Sequence, residues 1–225
     1  MINKDKRSLL LSMVLGDGCL HNTSNNNSGS LTVNHGIEQS DYITWKSQIV
    51  SNITNREINI RTGHKGKSAQ FSVCFKKFKA WRKFCYPNGK KSIERILPFI
   101  NHPEFAIAIW LMDDGYVESS ISTLADGSKV NYGARFRIFT CDQPIKTQEY
   151  IIDWFQKNLN VTPVIKYQKK GNVSYPFLKF SQTDSLKIWG KIREVVLQIK
   201  SMQKKFRHIE GIYQKKLLQR NPSEN

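Results

Sequence analysis

Two stretches decide the reading: LLLSMVLGDGCL at residues 9–20 and AIAIWLMDDGYV at residues 106–117. Each is an apolar run of helix formers that stops at Asp-Gly, at Asp17-Gly18 and at Asp114-Gly115. A helix C-terminus carries partial negative charge, so a carboxylate there is unfavourable by about 0.3–1 kcal/mol. Two helices, over 7–17 and 103–114, that both end in this way point to a purpose for the two acids.

The rest of the composition narrows that purpose. Among 225 residues, 35 Lys and Arg stand against 18 Asp and Glu, a net charge of +17. Such a surface suits a polyanion, nucleic acid before an anionic membrane. No stretch approaches the roughly 20 apolar residues of a spanning helix, so no membrane partner is expected. Lys4, Lys6 and Arg7 before LLLSMVL imitate a signal peptide. The apolar run is short, however, and Gly-Asp-Gly follows it where a small-residue cleavage site would stand. We read it as structure and the chain as intracellular; mitochondrion, chloroplast and bacterial cytoplasm are not distinguished. Cys19, Cys74, Cys85 and Cys141 form no C-x-x-C pair and read as reduced structural thiols. The five histidines are scattered without metal-ligand spacing.

A weak internal repeat runs through the chain. Tyr42-Ile43 and Tyr150-Ile151 share an offset of 108 with Trp81 and Trp189. The two Asp-Gly ends are closer than that, so the second copy carries extra residues, placed in the polar stretch VESSISTLADGSKVNYG. The first half, residues 1–100, reads as helix 7–17, strand 30–35, helix 39–53, strands 57–62 and 69–75, and helix 77–86. The second half, residues 101–225, reads as helix 103–114, strands 116–122 and 133–140, helix 144–158, strands 163–169 and 174–180, and helix 183–199. HNTSNNNSGS, at 21–30, reads as a loose loop.

The strands alternate, and their polar face is the informative one. Thr32 and Asn34 oppose Leu31 and Val33. Asn59, Arg61, Gln70 and Ser72 oppose Ile58, Ile60, Phe71, Val73 and Phe75, with Lys65 and Lys67 in the turn between. In the second half Arg135 and Arg137 oppose Phe136 and Ile138; Lys166, Gln168 and Lys179 oppose Ile165, Tyr167, Leu178 and Phe180. Arg, Lys, Asn and Gln form bidentate contacts to base edges, and a β-ribbon fits the DNA major groove. Few acids dilute these strands, so we read the face as a nucleic-acid contact and not as an ordinary solvated surface.

The two apolar helices need a partner, and duplication suggests each other. Ser12 and Gly16, small and on one helix face, would let a second backbone approach, while Gly18 and Gly115 suit a left-handed helix cap. Packed so, Asp17 and Asp114 would repel unless a cation sat between them. Mg²⁺, a hard ion that takes carboxylate, water and phosphate oxygens, suits that place and phosphodiester hydrolysis.

LLSMVLGDG (10–18) and IAIWLMDDG (107–115) resemble the two motif copies of the LAGLIDADG homing endonucleases, in the single-chain, two-motif branch. The resemblance implies an α+β fold: two pseudo-symmetric αββαββα halves, motif helices at the interface, and two antiparallel sheets forming a DNA-binding saddle. It implies a monomeric, intron-encoded enzyme that cuts both strands of double-stranded DNA and leaves short 3′ overhangs. Mg²⁺ is the implied metal, with Mn²⁺ as a substitute and Ca²⁺ non-activating. The last acidic motif position falls on Asp17 and Asp114, the implied catalytic carboxylates and metal ligands, with Gly16 and Asp113 beside them in the metal set. Asp113 occupies a small-residue position and ranks below Asp114. Leu11 and Ile109 stand where the motif has small residues. The family's active-site lysines match Lys91 and Lys204, with Lys205 adjacent. Two alternatives stay open: an RNA-binding maturase whose partner is intron RNA, and a non-cleaving DNA-binding regulator. Two retained acids favour the nuclease.

Overall fold

The computed structural model describes residues 3–23, 27–140 and 143–220. The chain divides into two compact units, Met1–Asp113 with Ile199–Met202, and Asp114–Gln198 with Gln203–Asn225. Among the described residues no helix is long and apolar enough to cross a membrane.

The first unit opens with helix α1 (Lys4–Leu15), capped by Asn3, whose side chain accepts the Lys6 N–H. Strands β1 (Cys19–Asn22) and β2 (Gly29–Gly36), helix α2 (Ser40–Thr54), strands β3 (Arg61–Gly63) and β4 (Ser68–Phe75) and helix α3 (Lys76–Cys85) follow. A short helix α4 (Ile93–Ile96) leads into helix α5 (Pro103–Asp114). The sheet is antiparallel in the order β1-β2-β4-β3. Leu31, Val33 and His35 on β2 and Phe71 and Val73 on β4 point into the core, alternating with Thr32, Asn34 and Ser72 outside. Helices α2 and α3 cover the inner face. α3 lies so close that a Cβ on Gly29 would stand 2.5 Å from the Phe78 carbonyl carbon, which explains glycine there.

The second unit repeats the plan. Strands β5 (Gly115–Thr123) and β6 (Lys129–Phe139), helix α6 (Ile145–Leu159), strands β7 (Val164–Lys170) and β8 (Val173–Lys179) and helix α7 (Gln182–Leu197) precede helix α8 (Lys200–Arg220). The sheet order is β5-β6-β8-β7, the same path as in the first unit. α2 and α6 are both 15 residues long, and both end on a left-handed Asn, Asn55 and Asn160, each at φ 53°. Asn tolerates that conformation better than other side chains.

Several expectations need correction. Aligning those two Asn caps sets Tyr42 against Thr147, so Tyr150 lies one helical turn out of register with Tyr42. Tyr42 is buried and Tyr150 exposed. The HNTSNNNSGS stretch contributes to β1 and β2, because the buried Leu20 anchors β1 against Leu31. The expected strand 57–62 shrinks to β3, which leaves Asn59 outside it and Ile60 exposed. Tyr167 is exposed because the β7–β8 hairpin tip extends beyond the core. The inserted residues of the second copy lie mostly within strands. They lengthen the β5–β6 hairpin, whose register shifts at Ser120/Ile121. Cys19, Cys74 and Cys85 are free thiols; Cys141 lies outside the described residues.

A cluster around Trp189 joins α7 to α8. The buried Trp189 ring stacks on Phe206 at 5.4 Å, and its indole N–H donates to Glu210 at 2.6 Å. Arg193 and Gln214 also donate to Glu210, each at 2.7 Å. Burial pushes the Glu210 carboxyl up, but these hydrogen bonds outweigh it and hold the group below its ordinary value. A lowered native pKa stabilises in full above the ordinary Glu value of about 4.3, and the gain fades as pH falls through the native value. Glu210→Ala, which strands the indole N–H, is expected to cost about 1–3 kcal/mol at pH 7 and less at pH 3. Urea unfolding followed by tryptophan fluorescence at both pH values checks this.

Candidate metal centre and nucleic-acid interface

α1 stops at Leu15, two residues before the acid. Gly16 takes an irregular backbone (φ −85°, ψ −133°), and the Gly18 N–H reaches back to the Met13 carbonyl at 2.8 Å. Neither glycine has room for a side chain. A Cβ on Gly16 would lie 2.0 Å from Asp113 Oδ2, and one on Gly18 would lie 2.4 Å from the Met13 oxygen. Gly18 is therefore not the left-handed cap expected of it, and Gly115 opens β5 directly. Ser12 Oγ bonds the Ser8 carbonyl of its own helix, and the Asp113 side chain, from the end of α5, rests on Gly16. This tight turn holds Asp17 outward, with its side chain 40% exposed. The Asp17 backbone N–H donates to Asp113 Oδ2 at 2.8 Å.

Asp113 is the opposite kind of acid, with a side chain removed entirely from solvent. Lys46, on α2 and equally buried, donates to both its oxygens at 2.7 and 2.8 Å. Tyr42, one turn earlier on α2, donates its hydroxyl to Oδ1 at 2.8 Å. With the Asp17 N–H these donors use the four lone-pair directions of the carboxylate. Burial pushes Asp113 up, yet the Lys46 charge and the hydrogen bonds prevail and hold it below its ordinary range. Lys46 also lies 3.0 Å from His35 Nε2 and 4.3 Å from the Tyr42 ring centre. His35 Nδ1 stands 3.5 Å from Asp17 Oδ2.

Asp17, His35 and Asp113 each offer a ligand atom, all within 4.8 Å of one another. The fit to a divalent ion differs among them. The exposed Asp17 carboxylate suits a hard cation, whereas an ion at Asp113 would have to displace a donor already in place. Lys91 Nζ donates to the Gly16 carbonyl at 2.5 Å, beside Asp17. The structure thus gathers Gly16, Asp17, Lys91 and Asp113 in the first unit. Asp114, half-buried, begins the second unit, where Lys204 is exposed on α8 and Lys205 half-buried next to it.

Sequence reasoning missed Lys46, His35 and Tyr42. The signal was there: His35 falls in the buried phase of β2 after Leu31 and Val33, and Lys46 lies on the same stripe as Tyr42, Ile43 and Val50. A charged residue in a buried phase calls for a buried partner.

The outer sheet faces hold the residues expected to meet nucleic acid. In the first unit Thr32 pairs with Ser72, and Asn34, Gln70 and Arg61 form one row across three strands. Thr32, Glu57, Asn59, Arg61, Gln70 and Ser72 line a groove of about 500 Å³. Lys65 and Lys67 are exposed in the turn, with Lys65 in the left-handed region at φ 57°. In the second unit Arg135 faces Glu118, and Arg137 faces Lys179. One acid, Glu118 on β5, does dilute the charge here. Glu118 accepts from Arg137, at 3.2 Å from Nε, and from Lys179 at 2.7 Å. Burial pushes Glu118 up, but those two cations pull it below its ordinary value. Arg137 also lies over the Phe177 ring at 5.0 Å. Glu118 thus fixes the two cations in place at the expense of net charge. Lys166 and Gln168 are exposed on β7.

Two like units, each of helix ends followed by a four-stranded antiparallel sheet with a polar outer face, define an architecture shared with known DNA-cutting proteins. Residues 7–188 match the LAGLIDADG DNA endonuclease family, and the chain belongs to that family. The fold is similar to the homing endonuclease I-WcaI bound to its DNA recognition sequence, with a TM-score of 0.65 at 19% identity over 91% of this chain and 87% of that one. It is also similar to I-GzeII in complex with its DNA target (TM-score 0.53, 12% identity, 100% and 94% of the chains). I-DmoI in complex with DNA and Ca gives a TM-score of 0.51 at 16% identity over 84% and 89%. Among curated proteins, the RecA protein of Mycobacterium gastri is 29% identical over 119 residues, 51% of this chain and 27% of that protein. The matched stretch spans about a quarter of such relatives; the RecA protein of Mycolicibacterium flavescens matches over 25% of its length at 31% identity.

Removing one partner of a buried ion pair leaves an uncompensated charge, which costs about 3–5 kcal/mol. Lys46→Met is expected to lose stability on that scale, and Lys46→Met with Asp113→Leu to recover part of it. Thermal unfolding of the two variants beside the parent protein measures the difference.

Proposed function

We propose that this chain is a site-specific homing endonuclease that hydrolyses both strands of a double-stranded DNA target with Mg²⁺, and that it is encoded in an intron whose insertion site it cuts. The observation that carries the proposal is the exposed Asp17 carboxylate at the end of its motif helix. Asp113 and Lys91 steady it from behind, and the sheet beside it presents an amide- and cation-bearing outer face. When bound, the metal would supply an activated water and stabilise the leaving oxygen.

The chain's own residues do the remaining work. Asp17 offers the ligand oxygens in the first unit, and Asp114 offers the equivalent carboxylate at the start of the second. The Gly16 carbonyl keeps one lone pair beyond the Lys91 bond. Lys91, with further protons to donate, is suited to hold a water or to offset phosphate charge. Arg61, Gln70, Asn34 and Thr32 in one unit, and Arg135, Arg137 and Lys179 in the other, are suited to base and phosphate contacts. Both motif copies lie in one chain, so the enzyme acts as a monomer on an asymmetric site.

Asp→Asn preserves size and removes the charge that a metal needs. Asp17→Asn and Asp114→Asn are each expected to abolish or cripple double-strand cleavage of a plasmid carrying the intron insertion site in Mg²⁺. Binding to the same site in Ca²⁺ is expected to survive largely, because the sheets carry it. Parent-like cutting by either variant would contradict the assignment.

A further inference from the structure

We propose that His35 is a positioning residue for Asp17: Lys46 fixes its tautomer, and the imidazole turns an N–H toward the Asp17 carboxylate. The inference rests on the reading of Asp17 as a metal carboxylate.

The chemistry starts from Lys46. An ammonium group has three donors and no acceptor. Two of its contacts go to Asp113, at 2.7 and 2.8 Å, and a third goes to His35 Nε2 at 3.0 Å. The atom that faces an ammonium must accept, so Nε2 carries the lone pair. The proton of a neutral imidazole then sits on Nδ1, the nitrogen 3.5 Å from Asp17 Oδ2. That separation is longer than a formed hydrogen bond. The His35 ring is buried and the Asp17 side chain 40% exposed, so the shift that would close it falls to Asp17.

The approach of His35 Nε2 to Asp113 Oδ1, at 3.6 Å, is then two acceptors sharing one lysine and not an ion pair. Two points of this cluster hold Asp17. Asp113 accepts its backbone N–H, and His35 faces its side chain. Both points trace back to Lys46. A metal carboxylate oriented by a second residue keeps its remaining lone pairs aimed at the ion, and losing such an outer contact typically weakens metal affinity or activity about 10–100-fold.

The second unit shows that the fold does not require this arrangement. Counting along the sheets from the residue after each Asp-Gly, Cys19 pairs with Thr32 and Tyr116 with Arg137. Three residues beyond these partners stand His35 and Thr140. Thr140 is buried and donates to the buried Gln148 at 3.0 Å, a neutral pair in place of the charged one. Such a neutral pair suffices for packing at the matching position. The charged version in the first unit has a further task, and the group it faces is Asp17.

The test uses the full chain and three substitutions. Asn places its amide nitrogen where Nδ1 stands, Gln reaches the Nε2 position, and Leu keeps bulk alone. In metal-free protein with ¹⁵N-labelled histidine, the resonance lost in His35→Asn identifies His35. It is expected to show a protonated Nδ1 and a bare Nε2. In cleavage assays His35→Leu and His35→Gln are expected to lower kcat about 10–100-fold, with target affinity in Ca²⁺ unchanged, and His35→Asn to recover most of the loss. A proton on Nε2 would overturn the proposal. So would parent-like kcat in His35→Leu while Asp17→Asn is inactive. If Asp17→Asn also cuts normally, the metal assignment itself fails. If His35→Leu does not fold, the tautomer and the contrast between Asn and Gln decide.

Discussion

A lysine and an aspartate whose side chains are closed off from solvent hold the Asp17 end of the first unit together. Lys46 stands in the middle of α2, and Asp113 stands 67 residues later at the end of α5. Two opposite charges taken out of water attract strongly, but each has shed its hydration, so the pair is stable only if every donor and acceptor is matched. The matching is complete at Asp113, and its donors come from three places: Lys46 and Tyr42 on α2, and the Asp17 backbone just past α1. One carboxylate therefore ties together α1, α2 and α5. The glycine at position 16 follows from this, since any side chain there would occupy the space of the carboxylate.

This arrangement resolves the electrostatic oddity of the first motif helix. Asp17 is not within the last turn of α1. It lies beyond a tight turn, exposed, with its N–H engaged. Of the two acids that end α5, Asp113 is neutralised by Lys46. The first unit thus separates two settings that one motif spelling, Asp-Asp-Gly or Gly-Asp-Gly, does not distinguish: a buried carboxylate paired with Lys46 and a partly exposed one. The second unit, with Thr140 and Gln148 in the corresponding region, keeps the strand order and helix lengths without the buried charge. The repeat is conserved in architecture and diverges in chemistry.

Much of this was legible in the sequence. The apolar runs before Asp17 and Asp114, the alternation of Leu31, Val33, Phe71 and Val73, and the polar phase carrying Thr32, Asn34, Arg61 and Gln70 all follow from local periodicity. What was not legible depended on long-range pairing. Four residues, CLHN, carry too few alternations to announce β1, and pairing with β2 across the sheet fixes them. Asp113 ranked low because it stands at a small-residue position of the motif, while its partner Lys46 lies far off in sequence. Glu118, on β5, meets Arg137 and Lys179 only once three strands are aligned. The repeat was visible from Tyr42 and Tyr150, yet its true register came from Asn55 and Asn160, whose backbone conformation no spacing rule supplies.

The central claim is the division of labour between Asp17 and Asp113. Anomalous diffraction from crystals of the protein with its target duplex and Mn²⁺ tests it most directly. The account predicts a Mn²⁺ peak at coordination distance from an Asp17 carboxylate oxygen, with the Lys46 ammonium still seated on both oxygens of Asp113. A Mn²⁺ ion coordinated by Asp113, with Lys46 displaced and Asp17 unliganded, would contradict it.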